Sequence, residues 1–203
     1  MSTAIALQPV SWKRMAQGID EVRDRLERAA SALSLLGVRY AVVGGNAVAA
    51  WVSRVDASAV RNTRDVDILL RREDADKARE ALEAAGFVHR RIASLGKAAA
   101  MDVFLDGPDA KVRDAVHVLW AGEKPVPDAI EPTPELNETE EGEGFLLIPL
   151  EHLVRMKLIS FRDKDRMHLR DLLAVGLIDE TWLHRFPADL TSRLHLILDD
   201  PEG

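Results

Sequence analysis

Apolar residues at three- and four-residue intervals (Trp12, Met15, Ile19, Val22, Leu26, Leu33 and Leu36) predict one long amphipathic helix. Ser11 stands where such a helix is capped and Gly37 where it stops. The period then changes. Residues 38–43, apolar except for Arg39, predict a short buried strand, and 46–54 return to helical spacing. Residues 55–62 read as a polar loop, 66–70 as a second strand, and 74–85 as a helix amphipathic through Ala78 and Leu82 that ends at Gly86. Further strands are predicted at 87–92, 101–105 and 115–120, the last two joined by the turn-rich stretch Asp106-Gly107-Pro108-Asp109.

Strands alternating with helices, followed by a hairpin, predict an α/β (α+β) fold: a mixed sheet flanked by helices. Between 125 and 144 the composition shifts to Pro and Glu, expected as a mobile linker or surface loop. From Phe145 onward the pattern is helical to the end. The expected organisation is an α/β core over 1–124, a linking segment over 125–144 and a helical C-terminal part over 145–203. No internal repeat is visible.

Composition narrows the setting. The 203 residues suffice for one full core or for a domain with a small appendage. With 47% hydrophobic and 30% charged residues, the chain reads as an ordinary globular protein. No apolar run approaches the roughly 18 residues that span a membrane, and no signal-like segment opens the chain. Cysteine is absent, which excludes disulfides and thiolate metal sites and fits a reducing compartment, so a cytoplasmic location is expected. A net charge of −7 argues against a large nucleic-acid-wrapping surface but leaves room for a local basic groove. Arg and Lys gather around 61–72 and 155–170, and acid gathers between Glu131 and Glu143.

The chemistry is concentrated in two short stretches. Val42-Val43-Gly44-Gly45-Asn46 places a double glycine at a strand-to-helix junction. There the backbone can turn tightly and admit a phosphate close to its N–H groups, with the helix N-terminus directed at the anion. A tight turn or close helix packing would use the same residues. Neither the dinucleotide fingerprint nor the P-loop pattern is present. About twenty residues on, Thr63-Arg64-Asp65-Val66-Asp67 opens the next strand with carboxylates at i and i+2. Alternation puts Asp65 and Asp67 on one face, with Val66, Ile68 and Leu70 on the other. Two carboxylates roughly 6 Å apart repel by about 2–3 kcal/mol at an effective dielectric near 20. A divalent cation relieves that repulsion, and Mg²⁺ is typically held by one or two carboxylates plus substrate phosphates. A solvated strand start is the alternative reading.

Taken together, these residues resemble the DNA polymerase β-like nucleotidyltransferase superfamily, whose signature is a strand ending in Gly-Gly or Gly-Ser, a helix, then a strand carrying D-x-D. Arg61-x-Thr63-x-Asp65-Val66-Asp67 is similar to the bacterial AbiEii-type nucleotidyltransferases, many of them toxin components. The stretch 150–173 resembles their Lys-containing helix and the Arg/Lys-Asp…Asp-Leu segment that follows it. The likeness covers about 40–173. It implies transfer of a nucleoside monophosphate from an NTP to an acceptor hydroxyl, with release of pyrophosphate. On that resemblance Gly44, Gly45 and Asn46 hold the triphosphate, Thr63 shapes the loop, and Asp65 and Asp67 hold Mg²⁺ or Mn²⁺. The acceptor is open among tRNA, protein and small molecules. A cognate antitoxin or other neighbouring gene product is an expected partner.

The superfamily takes a third acid from a later strand. The matching position here is His117, which can ligate a metal or act as a base but favours Mn²⁺ or Zn²⁺ over Mg²⁺ relative to a carboxylate. Asp102 is the other candidate, and Asp106 and Asp114 are remoter ones. A sheet histidine bonded to backbone is the bland alternative for His117, and a catalytically impaired nucleotide-binding module is the alternative for the whole chain. On a helical projection Lys157 falls in the middle of the apolar stripe Leu150, Leu153, Val154, Phe161 and Leu172. It is expected either to reach the nucleotide phosphates, or to snorkel to solvent, or to pair with Asp65, Glu151 or Asp171. Arg162 and Asp165 are candidates for positioning acceptor or loop. His184 and His195 lack ligand spacing, and Trp12, Trp51, Trp120 and Trp182 are expected as core anchors.

Overall fold

The computed structural model describes residues 11–92 and 101–203, so the expectation about the chain's first residues lies outside the described part, as does the side chain of Met15. Helix α1 (Trp12–Leu35) leads into β1 (Tyr40–Val43) and α2 (Gly44–Ser53). Strand β2 (Val66–Leu70), helix α3 (Ala75–Ala84) and strands β3 (Val88–Ile92), β4 (Met101–Leu105) and β5 (Ala115–Trp120) follow. The chain then adds two short strands, β6 (Glu140–Glu141) and β7 (Leu146–Leu147), and three helices, α4 (Leu150–Ser160), α5 (Asp163–Ala174) and α6 (Ala188–Asp199). The strands form one sheet in the order β3-β4-β5-β2-β1-β7-β6. Pairs β2–β5 and β1–β7 are parallel and the remaining pairs antiparallel, which makes the sheet mixed as expected.

At the centre of the sheet, β1 and β2 bury Tyr40, Val42, Ile68 and Leu70 on one face and Ala41, Val43 and Leu69 on the other. That explains why β1 reads as a continuous apolar run and why β2 is apolar except at Asp67. Leu26, Ala29, Ala30 and Leu33 of α1 join this core, but Trp12 is 83% exposed. The stripe is helical throughout but buries a face only from Arg25 and Leu26 onward. Ser11 is at the N-cap position without a capping side-chain bond. Of the other tryptophans, Trp51 and Trp182 are buried as expected, and Trp120 lies partly covered under the Arg72 guanidinium.

Two expectations change after residue 120. The Pro/Glu-rich stretch buries Ala129, Thr133 and Leu136 and contributes edge strand β6. Thr133 fastens it by donating from its hydroxyl to the Trp120 carbonyl. It is a strap on the core, and residues on both sides of it share one hydrophobic cluster. The helical stripe from Leu150 to Leu172 is also not one helix. Phe161 adopts a left-handed conformation (φ 46°) and ends α4, with its N–H bonded to the Lys157 carbonyl. Asp165 then accepts from the Arg162 backbone N–H and from Arg162 Nε, which secures the start of α5. A non-glycine residue held there costs on the order of 1–2 kcal/mol, so the bonds gathered by Asp165 help hold the break in place.

Candidate active site

The double glycine acts first on the acids. Gly44 turns out of β1 at φ +69°, and a Cβ built on it would lie 1.9 Å from Asp67 Oδ2. Asp67 pairs with Val43 in the β1–β2 register, which brings its carboxylate over the first turn of α2. Unpaired N–H groups and the helix dipole favour an anion at that place. A Cβ on Gly45 would lie 2.9 Å from Thr63 Cβ and Oγ1. Thr63 in turn donates to Asp65 Oδ1 at 3.0 Å, and the Asn46 amide donates to the Asp65 carbonyl at 2.8 Å. The glycines therefore admit Asp67 and Thr63, and Asn46 spends its amide on the loop that carries Asp65. Gly45 also lines the adjoining cleft.

Strand β5 supplies the third group. It runs parallel to β2 with His117 opposite Asp67. His117 Nε2 lies 2.8 Å from the Val112 carbonyl, so this nitrogen carries a proton and donates. Nδ1 is thereby aimed at the carboxylates, 3.3 Å from Asp67 Oδ1 and 3.8 Å from Asp65 Oδ2. If Nδ1 is unprotonated, three sets of lone pairs converge, and only a proton or a cation can sit among them. Burial works to lower the His117 pKa, but the Asp67 and Val112 bonds and the charges of both carboxylates prevail and raise it. Burial works to raise Asp65, and the bonds from its own N–H and from Thr63, with Lys164 and His117, hold it below the usual carboxylate range.

Ligand atoms from Asp65, Asp67 and His117 all lie within 4.8 Å of one another. Atoms bound at about 2.0–2.2 Å to one ion are separated by at most roughly 4.4 Å, so adjustments of a few tenths of an ångström suffice. Two carboxylate oxygens and one imidazole, its far nitrogen fixed by a carbonyl, fit a small divalent ion and show the outer bond typical of ligating histidines. The imidazole tilts the set toward Mn²⁺ relative to an all-carboxylate site.

The other acid candidates are elsewhere. Asp102 pairs with Val118, whereas His117 pairs with Val103, so strand alternation puts Asp102 on the opposite face of the sheet. There it meets His89 Nε2 at 3.0 Å and helps line a cavity of about 90 Å³ with Arg72 and residues of α3. Asp106 pairs with Arg25 and Arg28, and Asp114 with Arg64.

Lys157 is 5% exposed and bonded to Asp165 at 3.3 Å, not to Asp65, Glu151 or Asp171, and it does not line the cleft. Asp165 also accepts from Ser160 Oγ and Arg162 Nε. Burial opposes ionisation of both partners. It prevails at Lys157, whose pKa is lowered, while Arg162, Lys157 and Ser160 hold Asp165 at about 2.

Beside the acids opens a cleft of about 430 Å³ lined by Gly45, Arg61, Asn62, Thr63, Asp65, Asp67, Lys164, Met167 and His168. This volume falls in the usual range for small-molecule sites, about 300–1,000 Å³. Lys164, Met167, His168 and Asp171 follow i, i+3, i+4, i+7 spacing and so form one stripe of α5. Lys164 Nζ is 3.9 Å from Asp65 Oδ2, and Asp171 accepts from Arg61 Nε at 2.8 Å. Burial pushes the His168 pKa down to about 4, so this cleft residue is neutral near pH 7. Asn62 and Met167 were not singled out from sequence, and Arg61 entered only as part of a motif, without a role in a cleft. The stripe spacing was visible there, but nothing local tied it to the D-x-D strand.

No protein-family model matches the chain, and no curated protein matches it in sequence. Solved structures do match in shape. JHP933 from Helicobacter pylori is 17% identical with a TM-score of 0.50, over 92% of this chain and 76% of that one. A second Helicobacter pylori structure, described as a putative nucleotidyltransferase, is 14% identical with a TM-score of 0.51, over 95% and 80%. The antibiotic-resistance factor ANT(2'')-Ia is 12% identical with a TM-score of 0.48, over 91% and 92%. At such identities the likeness concerns architecture: the mixed sheet with its flanking helices is a nucleotidyltransferase-like fold.

Proposed function

We propose that the protein transfers a nucleoside monophosphate from an NTP to an acceptor hydroxyl. The observation that carries this reading is the convergence of Asp65, Asp67 and His117 at the first turn of α2, on the edge of a nucleotide-sized cleft. The acceptor oxygen bonds to the α-phosphorus, the bond to the bridging oxygen of the β-phosphate breaks, and pyrophosphate leaves. The hydroxyl proton passes to a carboxylate of the pair. Mg²⁺ or Mn²⁺ bound by Asp65, Asp67 and His117 would neutralise phosphoryl charge and orient the leaving group. Gly45 would leave the first turn of α2 open to the triphosphate.

The likeness of Arg61-x-Thr63-x-Asp65-x-Asp67 to AbiEii-type enzymes supports a finer reading as a toxin component acting on tRNA, protein or a small molecule and paired with an antitoxin. No helix among the described residues is long and apolar enough to cross a membrane. A second reading, a nucleotide-binding module without turnover, is supported by the histidine in the third-acid position.

The test is transfer of label from α-³²P NTPs to tRNA, cell protein and small-molecule acceptors, with Mg²⁺ or Mn²⁺. Asp67→Ala is expected to lower transfer by about 10³-fold. Undiminished transfer by that variant would sink the catalytic assignment. Nucleotide binding without transfer by the wild-type protein selects the second reading.

A further inference from the structure

We infer that Arg61 and Lys164 form a two-walled clamp for the terminal phosphates of a nucleoside triphosphate, with Asp171 as the positioning residue that aims Arg61. This rests on the nucleotidyl-transfer reading and assigns part of that site. Arg61 belongs to the loop that carries the acidic pair, and Lys164 belongs to α5 across the cleft. The two cations therefore approach one space from elements that are remote in sequence.

The bond to Asp171 is one-sided. Arg61 Nε donates to Asp171 Oδ1, while both Nη groups lack a partner among the described residues. Asp171 is largely buried, and its Oδ2 also lacks a partner among the described residues, so the usual two-bond pairing of guanidinium and carboxylate is not made. Arg72, by contrast, spends Nε and Nη2 on Glu123. Asp171 thus holds Arg61 by its inner edge and leaves the outer fork available, and that fork matches two oxygens of one phosphate.

Charge on the cleft wall selects the ligand. Apart from Asp65 and Asp67, no lining residue is acidic, and the lining cations are Arg61 and Lys164. One divalent ion compensates the carboxylate pair but leaves the triphosphate unmatched. Arg61 and Lys164 supply what remains. Lys157, the lysine that the sequence pattern nominates, is unable to do so because it is buried against Asp165. A monophosphate would lack the groups that reach this clamp, and so would any ligand bound through its base alone.

The test is calorimetric binding, in Mn²⁺, of the α,β-methylene analogues of the four common NTPs and of the matching monophosphates. For the triphosphate analogue that the wild-type protein binds, Arg61→Ala is expected to weaken affinity by about tenfold or more while monophosphate affinity changes by less than about twofold. Lys164→Ala is expected to do the same. Arg61→Lys is expected to restore little, because an ammonium lacks the fork. Asp171→Asn is expected to weaken triphosphate binding about threefold, with no further loss in the Arg61→Ala background. Equal loss for both nucleotides, or none, in a folded Arg61→Ala protein overturns the clamp and leaves Arg61 as a tether between loop and helix. Wild-type protein that binds no triphosphate analogue overturns the clamp together with the nucleotidyl-transfer reading, whereas unchanged binding by Arg61→Ala overturns the clamp alone.

Discussion

Lys157–Asp165 and Asp65–Asp67–His117 are both knots of ionisable groups packed against the same core, yet their electrostatics are opposite. In the first, Asp165 receives Lys157, Ser160 and Arg162, so each charge meets its complement within the chain. The second brings two carboxylates and the open nitrogen of an imidazole together, with a half-exposed lysine at 3.9 Å. One knot is complete and fastens the α4–α5 junction. The other gathers electron-pair donors whose nearest cations are a half-exposed lysine and, when protonated, His117 itself, and it is held open by Gly44 and Gly45. A buried charge that is paired reads as architecture, whereas converging acceptors beside a cleft read as a place for a ligand.

Four substitutions test that contrast. Lys157→Met should cost about 3 kcal/mol in urea unfolding, since it strips a buried carboxylate of one partner. Asp67→Asn should change stability by less than about 1 kcal/mol without divalent ions and abolish Mn²⁺ binding followed by electron paramagnetic resonance. The reverse pattern would exchange the roles given to the two knots. Next in size is acid sensitivity. Asp165 is held at about 2 in the folded protein, against an ordinary value of 3.8. The unfolded chain takes up that proton first, so the stabilisation is whole above about pH 4 and drains away as pH falls through about 2. The wild-type advantage over Asp165→Asn should therefore shrink by about 2 kcal/mol between about pH 5 and pH 2. An advantage independent of pH would show that the carboxylate is not the charged member assigned here. The smallest effect belongs to Asp102→Asn, expected to leave Mn²⁺ affinity within about twofold because its side chain lies on the other sheet face. A loss comparable to that of Asp67→Asn would contradict the strand register.

Legibility in the sequence followed distance along the chain. The glycine junction and the acidic strand could be read because each is a local pattern and because β1 and β2 are neighbours in the sheet. Facing was harder. Asp102 and His117 looked interchangeable, and only the β4–β5 pairing separates them by placing Val103, not Asp102, beside His117. For Lys157, a projection of 150–172 as one helix leaves a cleft role open beside snorkelling or an ion pair. The left-handed Phe161 breaks that helix, and the second half turns Lys164 to the cleft instead. The Arg61–Asp171 bond spans 110 positions, and no local periodicity announces such a contact.

The parallel pairing of β2 with β5 has a consequence for how readily this centre could be silenced. His117 stands beside Asp67 because one rung of the ladder aligns them. Its neighbours along β5 are Val116 and Val118. A single-residue deletion in the turn ahead of β5 that slid the strand by one place would swap imidazole for isopropyl. Both aspartates and both glycines would stay untouched, and the third donor would be lost through a change of alignment instead of a change of chemistry.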